Sequence, residues 1–118
     1  MNHRQIGNDA EAQAARYLEH KGYRILERIY YTRAGELDII CESPEGVLVA
    51  CEVKYRKSTV YGDPLEAVGR NKRLHMDRAF RLYLMQHGGF EQEARFDVIA
   101  VYGDGRIHHV ENAFYEGA

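Results

Sequence analysis

Two short runs, GELDII at 35–40 and VACEVKYR at 49–56, place Glu36, Asp38, Glu52 and Lys54 inside segments otherwise apolar enough to be buried strands. A charge in such a position must be offset by a partner, by solvent or by a metal ion. Side chains alternate across a strand, so Glu36, Asp38 and Ile40 are expected on one face and Leu37, Ile39 and Cys41 on the other. Leu48, Ala50, Glu52 and Lys54 likewise share a face, with Val47, Val49, Cys51 and Val53 opposite. Pairing of the two strands through the SPEG turn at 43–46 would set Asp38 beside Glu52, toward the end away from that turn. Adjacent carboxylates raise each other's pKa unless a cation intervenes. Mg²⁺, or Mn²⁺ in its place, suits such hard oxygen donors, keeps several waters and accepts phosphate oxygens. Lys54 would orient an attacking water or neutralise developing charge. The natural chemistry of this set is phosphodiester hydrolysis.

A further acid comes from the N-terminal helix expected over residues 8–21, NDAEAQAARYLEHK, with Asn8 or Asp9 as cap and Gly22 as stop. Glu11 precedes Ala14, Ala15 and Leu18 at helical spacing, so it shares their stripe and should point at the sheet. The bare ExK triplet is a weak signal. It recurs at Glu19-His20-Lys21, where a helix would turn the two charges about 200° apart. A second reading of the strand charges therefore stays open: Glu52 and Lys54, with Asp38 across from the lysine, as a salt-bridge ladder on a solvated sheet face.

The elements that must carry these residues follow from periodicity and turn chemistry. After the helix, YRILER at about 23–28 reads as a strand, YYTRAG turns the chain, and ELDIICES and VLVACEVK complete an antiparallel meander. A polar connection follows, in which Asp63-Pro64 can open a short helical turn. A longer helix from about Asn71 to His87 ends at Gly88-Gly89 and gathers Met76, Ala79, Phe80, Tyr83 and Leu84 on one arc. Two strands, RFDVIAVY and RIHHVEN, close the chain through a DG turn. The order is α-β-β-β-α-β-β: an α/β chain with a mixed sheet flanked by helices, in one domain over residues 1–118.

The composition is that of a globular protein, with 45% hydrophobic and 29% charged residues. No run of about 18 apolar residues is present to span a bilayer, and no apolar signal segment opens the chain, so a cytoplasmic protein without a membrane is expected. Cys41 and Cys51 sit in apolar strands without zinc spacing and read as buried reduced thiols. His108 and His109 should face opposite sides of a strand, with no chemistry assigned to them. A net charge of −2 offers no global attraction to nucleic acid, so binding would depend on a local patch. Arg70, Lys72, Arg73, Arg78 and Arg81 on the second helix, with Arg56 and Lys57 before it, form the candidate. The alternative is the wet face of an amphipathic helix. Tyr30, Tyr31, Tyr55 and Tyr61 are either base-stacking residues or half-buried packing residues.

The runs GNDAEAQAARYLEHKGYRIL, GELDII, VACEVKYR, YGDPLEAV and RFDVIAV, in this order from Ile6 to Val101, resemble the small bacterial YraN-like family of endonuclease-like proteins. That family is similar in turn to Holliday-junction resolvases and to the restriction-endonuclease-like PD-(D/E)XK fold. The resemblance implies a Mg²⁺-dependent endonuclease. Asp38, Glu52 and Glu11 would be catalytic metal ligands, the Val53 backbone carbonyl a further ligand, and Lys54 the residue that assists hydrolysis. DNA, with branched structures among the candidates, would be the substrate, and a homodimer would supply two sites for two strands. Leu37 replaces the proline of the broader motif, and Ala10 stands where relatives usually have glycine. Two further readings remain: a non-catalytic nucleic-acid-binding module on the same fold, and a protein-interaction domain.

Overall fold

The first helix, α1, spans His3–His20 and ends where the sequence demands a stop. At Gly22, φ is +90°, the Gly22 N–H donates to the Glu19 carbonyl and the Tyr23 N–H to the Leu18 carbonyl, both at 3.0 Å. These two bonds close a Schellman turn that only a glycine enters without strain. The computed structural model describes residues 3–57, 68–89 and 91–114. The expected helical turn at Asp63-Pro64, and Tyr61, lie outside them. Helix α1 starts well before the expected cap: Gly7 and Asn8 lie inside it rather than at its boundary. Docking of the Ala10, Ala14, Ala15 and Leu18 stripe on the sheet outweighs their weak helix propensity.

Three strands follow, β1 (Arg24–Thr32), β2 (Gly35–Glu42) and β3 (Leu48–Arg56), then α2 (Arg70–Gln86), β4 (Ala94–Tyr102) and β5 (Ile107–Phe114). Strand β1 runs four residues past its expected end at Arg28, because Tyr30 and Tyr31 pair with Leu37 and Glu36. Only Arg33 and Ala34 form the turn, held by the Thr32 hydroxyl, which accepts from the Ala34 and Gly35 N–H groups. The sheet order is β1-β2-β3-β4-β5, antiparallel except for the parallel pair β3 and β4. A parallel pair needs a long crossover, and α2 lies within it. The α-β-β-β-α-β-β order and the mixed sheet flanked by helices are thus those expected from the sequence.

Each helix covers one sheet face. On the α1 face Leu18 packs with Ile39, Cys41, Val49, Cys51, Ile99 and Val101. On the other, the expected arc of α2, Met76, Ala79, Phe80, Tyr83 and Leu84, meets Ile40, Ala50, Phe96, Val98 and Phe114. Leu37 breaks the expected alternation. It packs with Ile40 on the α2 face, away from Ile39 and Cys41. The break falls at Asp38, where the partner strand is also irregular: Ile29, between the paired residues Arg28 and Tyr30, has φ +54°. Among the described residues, Asn112 in β5 is the other non-glycine residue at positive φ, +51°. Among the described residues no helix is long and apolar enough to cross a membrane.

Candidate active site

Backbone pairing of β2 with β3 runs from Glu42 and Leu48 to Ile39 and Cys51. Beyond that point a side chain takes over from the ladder: Asp38 Oδ2 accepts the Val53 N–H at 2.8 Å. The strands part there, and Glu52 is left beside Asp38, only 4% exposed. Burial, followed by the hydrogen bond and charge of Asp38, pushes the Glu52 carboxyl up to about 8, although Lys72 and Lys54 pull it down. Burial and the neighbouring Asp38 therefore favour the protonated form of Glu52 near neutrality. Lys72 reaches in from α2, its Nζ 3.3 Å from Glu52 Oε2. Burial alone would depress the Lys72 ammonium, but the charge and hydrogen bond of Glu52 hold it above its ordinary value.

Asp38, Glu52, Lys54 and the Val53 backbone thus come together as the spacing implied. Glu11 does not join them as a free ligand. It is buried and turned to the sheet, as its stripe demanded, but Arg28 of β1 bonds both oxygens, Nε to Oε1 at 2.5 Å and Nη2 to Oε2 at 3.1 Å. Among the described residues no three His, Cys, Asp or Glu side chains are gathered closely enough to hold a metal ion. The Asp38 and Glu52 carboxylates still fit a divalent cation of the Mg²⁺ type, which takes one or two carboxylates and completes its shell with water and phosphate. A proton and a lysine now meet the demand for positive charge that such an ion would meet.

The basic residues divide. Arg70 and Arg78 of α2 and Lys57 after β3 are exposed. Arg81 is exposed but paired with Asp77 at 2.9 Å, Arg73 lies over the Phe114 ring at 5.9 Å, and Arg56 is half-buried. Lys72, expected with the phosphate contacts, instead lies on the acidic pair. Tyr31 is 70% exposed and Tyr55 is exposed beside Lys54, whereas Tyr30 packs edge-on against Tyr83. Cys41 and Cys51 are free and buried with sulfurs 3.9 Å apart. Their mutual hydrogen bond and burial push the Cys51 thiol up, which makes it inert.

One charged cluster went unread in the sequence. Asp97 of β4 is fully buried and accepts from Arg95, from His109 Nε2 at 2.7 Å and from the Asn112 N–H at 2.9 Å. Arg95 also donates to the Tyr23 hydroxyl at 2.7 Å, and the Tyr17 hydroxyl meets His109 Nδ1 at 3.2 Å. His108, on the opposite face as expected, is exposed. The signal was present: Asp97 interrupts the apolar run FDVIAV, and a charge there must be partnered.

The profile of the family described as "Uncharacterised protein family UPF0102" matches residues 10–101. The chain belongs to that family, the YraN-like family of the resemblance. A UPF0102 protein of Syntrophomonas wolfei is 44% identical over 94% of this chain and 98% of its own length. One from Anaeromyxobacter dehalogenans is 45% identical over 92% and 83%. Among solved structures, a repair endonuclease from Pyrococcus abyssi aligns at 19% identity and TM-score 0.48 over 80% of this chain. An EndoMS complex with double-stranded DNA aligns at 18% and 0.38 over 81%. This chain spans 39% and 38% of those two chains.

Proposed function

We propose that the protein is a metal-dependent endonuclease that hydrolyses DNA phosphodiesters. The observation that carries this reading is the pair of half-buried Asp38 and buried Glu52, at the point where two strands part, with Lys54 and Lys72 beside it. Two carboxylates brought together, offset only by a proton and a lysine, are a site that a divalent cation can take. Mg²⁺ or Mn²⁺ bound there would polarise a phosphate and lower the pKa of a bound water. Asp38 and Glu52, with the Val53 carbonyl, would hold the ion, and Glu11 would add to them on release from Arg28. Lys54, next along the face from Glu52, would orient the water. Arg56, Lys57, Arg70, Arg73, Arg78 and Arg81 would contact phosphates, and a second copy would serve the second strand. Function in the cytoplasm and a preference for branched DNA belong to the same proposal.

The test is cleavage of labelled four-way-junction, flap, single-stranded and duplex DNA with Mg²⁺ or Mn²⁺. Metal-dependent products are expected from the natural sequence and from neither Asp38→Ala nor Lys54→Ala. Salt-sensitive binding without any cleavage would favour the second reading, a non-catalytic nucleic-acid-binding module. That reading draws support from Glu11 and Glu52, both already neutralised within the chain.

A further inference from the structure

We infer that Lys72 is a tethered counter-cation of the acidic pair: it occupies the carboxylates while no divalent ion is bound and gives way when one binds. The inference rests on the metal-site reading above and adds a competitor to it. Lys72 comes from the first turn of α2, an element remote in sequence from both carboxylates, and its Nζ stands 3.3 Å from Glu52 Oε2. It also lies within the field of Asp38 and Glu36. Among the described residues Lys72 acts more strongly on Glu52 than Lys54, on the same strand, does. A long side chain held in such a contact gives up rotamer freedom, which an ordinary surface pairing scarcely repays. Here the partner is 4% exposed, so its ionised form would otherwise stand buried and unpaired.

Two features suit Lys72 to leave as well as to bind. Its side chain is 44% exposed, so a path to water is open, while Glu52 stays at 6%. The helix that carries it is held close to β2, because a Cβ on Gly35 would lie 3.3 Å from the His75 Cβ, one turn along from Lys72. The base of the side chain is therefore fixed while its ammonium is free to swing. A divalent ion and the ammonium need the same oxygens and repel each other, so each excludes the other. Once displaced, Lys72 stands at the rim of the site as a free cation for a phosphate.

Mn²⁺ binding to the DNA-free protein, by calorimetry and by the paramagnetic resonance of free Mn²⁺, tests this beside thermal melting without metal. Lys72→Met is expected to bind Mn²⁺ about tenfold more tightly than the natural sequence, which corresponds to about 1.4 kcal/mol. Its metal-free form should melt at a lower temperature near pH 8, with the deficit restored by saturating Mn²⁺. Lys72→Arg keeps the competitor and should bind Mn²⁺ no more tightly than the natural sequence. Equal or weaker binding by Lys72→Met would overturn the inference while leaving the metal site intact. Binding by Asp38→Ala equal to that of the natural sequence, or no binding by any of these proteins including Lys72→Met, would remove the site and the inference together. Binding by Lys72→Met alone would support the competitor directly.

Discussion

Glu52 shows what a single buried carboxylate does to a chain of this size. Its carboxyl is raised from 4.5 to about 8 by burial and by Asp38, so the folded chain holds a proton that the unfolded chain has lost. Stability from this group is fully present below the unfolded value and is lost as pH rises through the folded one. In denaturant melts without metal, the natural sequence is expected to lose a few kcal/mol between pH 5 and 8.5, with Glu52→Gln nearly flat over that range and more stable at its upper end. A natural sequence as flat as the variant would mean that the pair is hydrated. Glu52 and Lys54 were legible from alternation along β3, and Asp38 from the strand pairing through the 43–46 turn, although the alternation of β2 fails at Asp38 itself. The Arg28 partner of Glu11 was not, because the contact joins a helix to a strand in another layer, and no spacing along one element encodes it.

At the scale of the element, Gly35 holds α2 over the site. Its φ of +154° disfavours a side chain, and an added Cβ would press on His75. Gly35→Ala is expected to cost about 1–3 kcal/mol as helix and strand are forced apart. It should also weaken the hold of Lys72 on Glu52, read as a Glu52 titration moved further up by carboxyl NMR; an unmoved titration would show that β2 yields instead. The α2 arc was legible because burial repeats every three to four residues, and its five core positions are those observed. The ends of α1 and β1 were less so. Residues around Gly7 and Asn8 have weak helix preference that packing overrode, whereas Tyr30 and Tyr31 favour strands and their pairing carries β1 into the segment expected to turn.

Across the whole molecule, Asp97 binds elements that the sheet order alone would leave loosely joined. Through Arg95, His109 and Asn112 it ties β4 to β5, and through Tyr17 and Tyr23 it reaches α1 and the start of β1. Burial alone would raise its carboxyl, yet hydrogen bonds from His109, Arg95 and Asn112 hold it below 3.8. Asp97→Asn is expected to cost about 3–5 kcal/mol at neutral pH, because Arg95 and His109 lose the buried carboxylate they share and Arg95 keeps only the exposed Glu111 at 3.9 Å. The natural sequence should lose this stability only as pH falls below 3.8 toward the folded value, where the variant has none left to lose. A loss under 1 kcal/mol in chemical denaturation would mean that the cluster is dispensable.

The sheet is open, with β1 and β5 as its outer strands, and the two non-glycine residues at positive φ, Ile29 and Asn112, lie one on each. Each bends its rim out of the flat run that a second chain would need in order to add a strand. Exposed Arg24, Arg28, His108 and Glu111 place charge along the same rims. Both borders thus carry features that oppose ribbon-like growth through added strands.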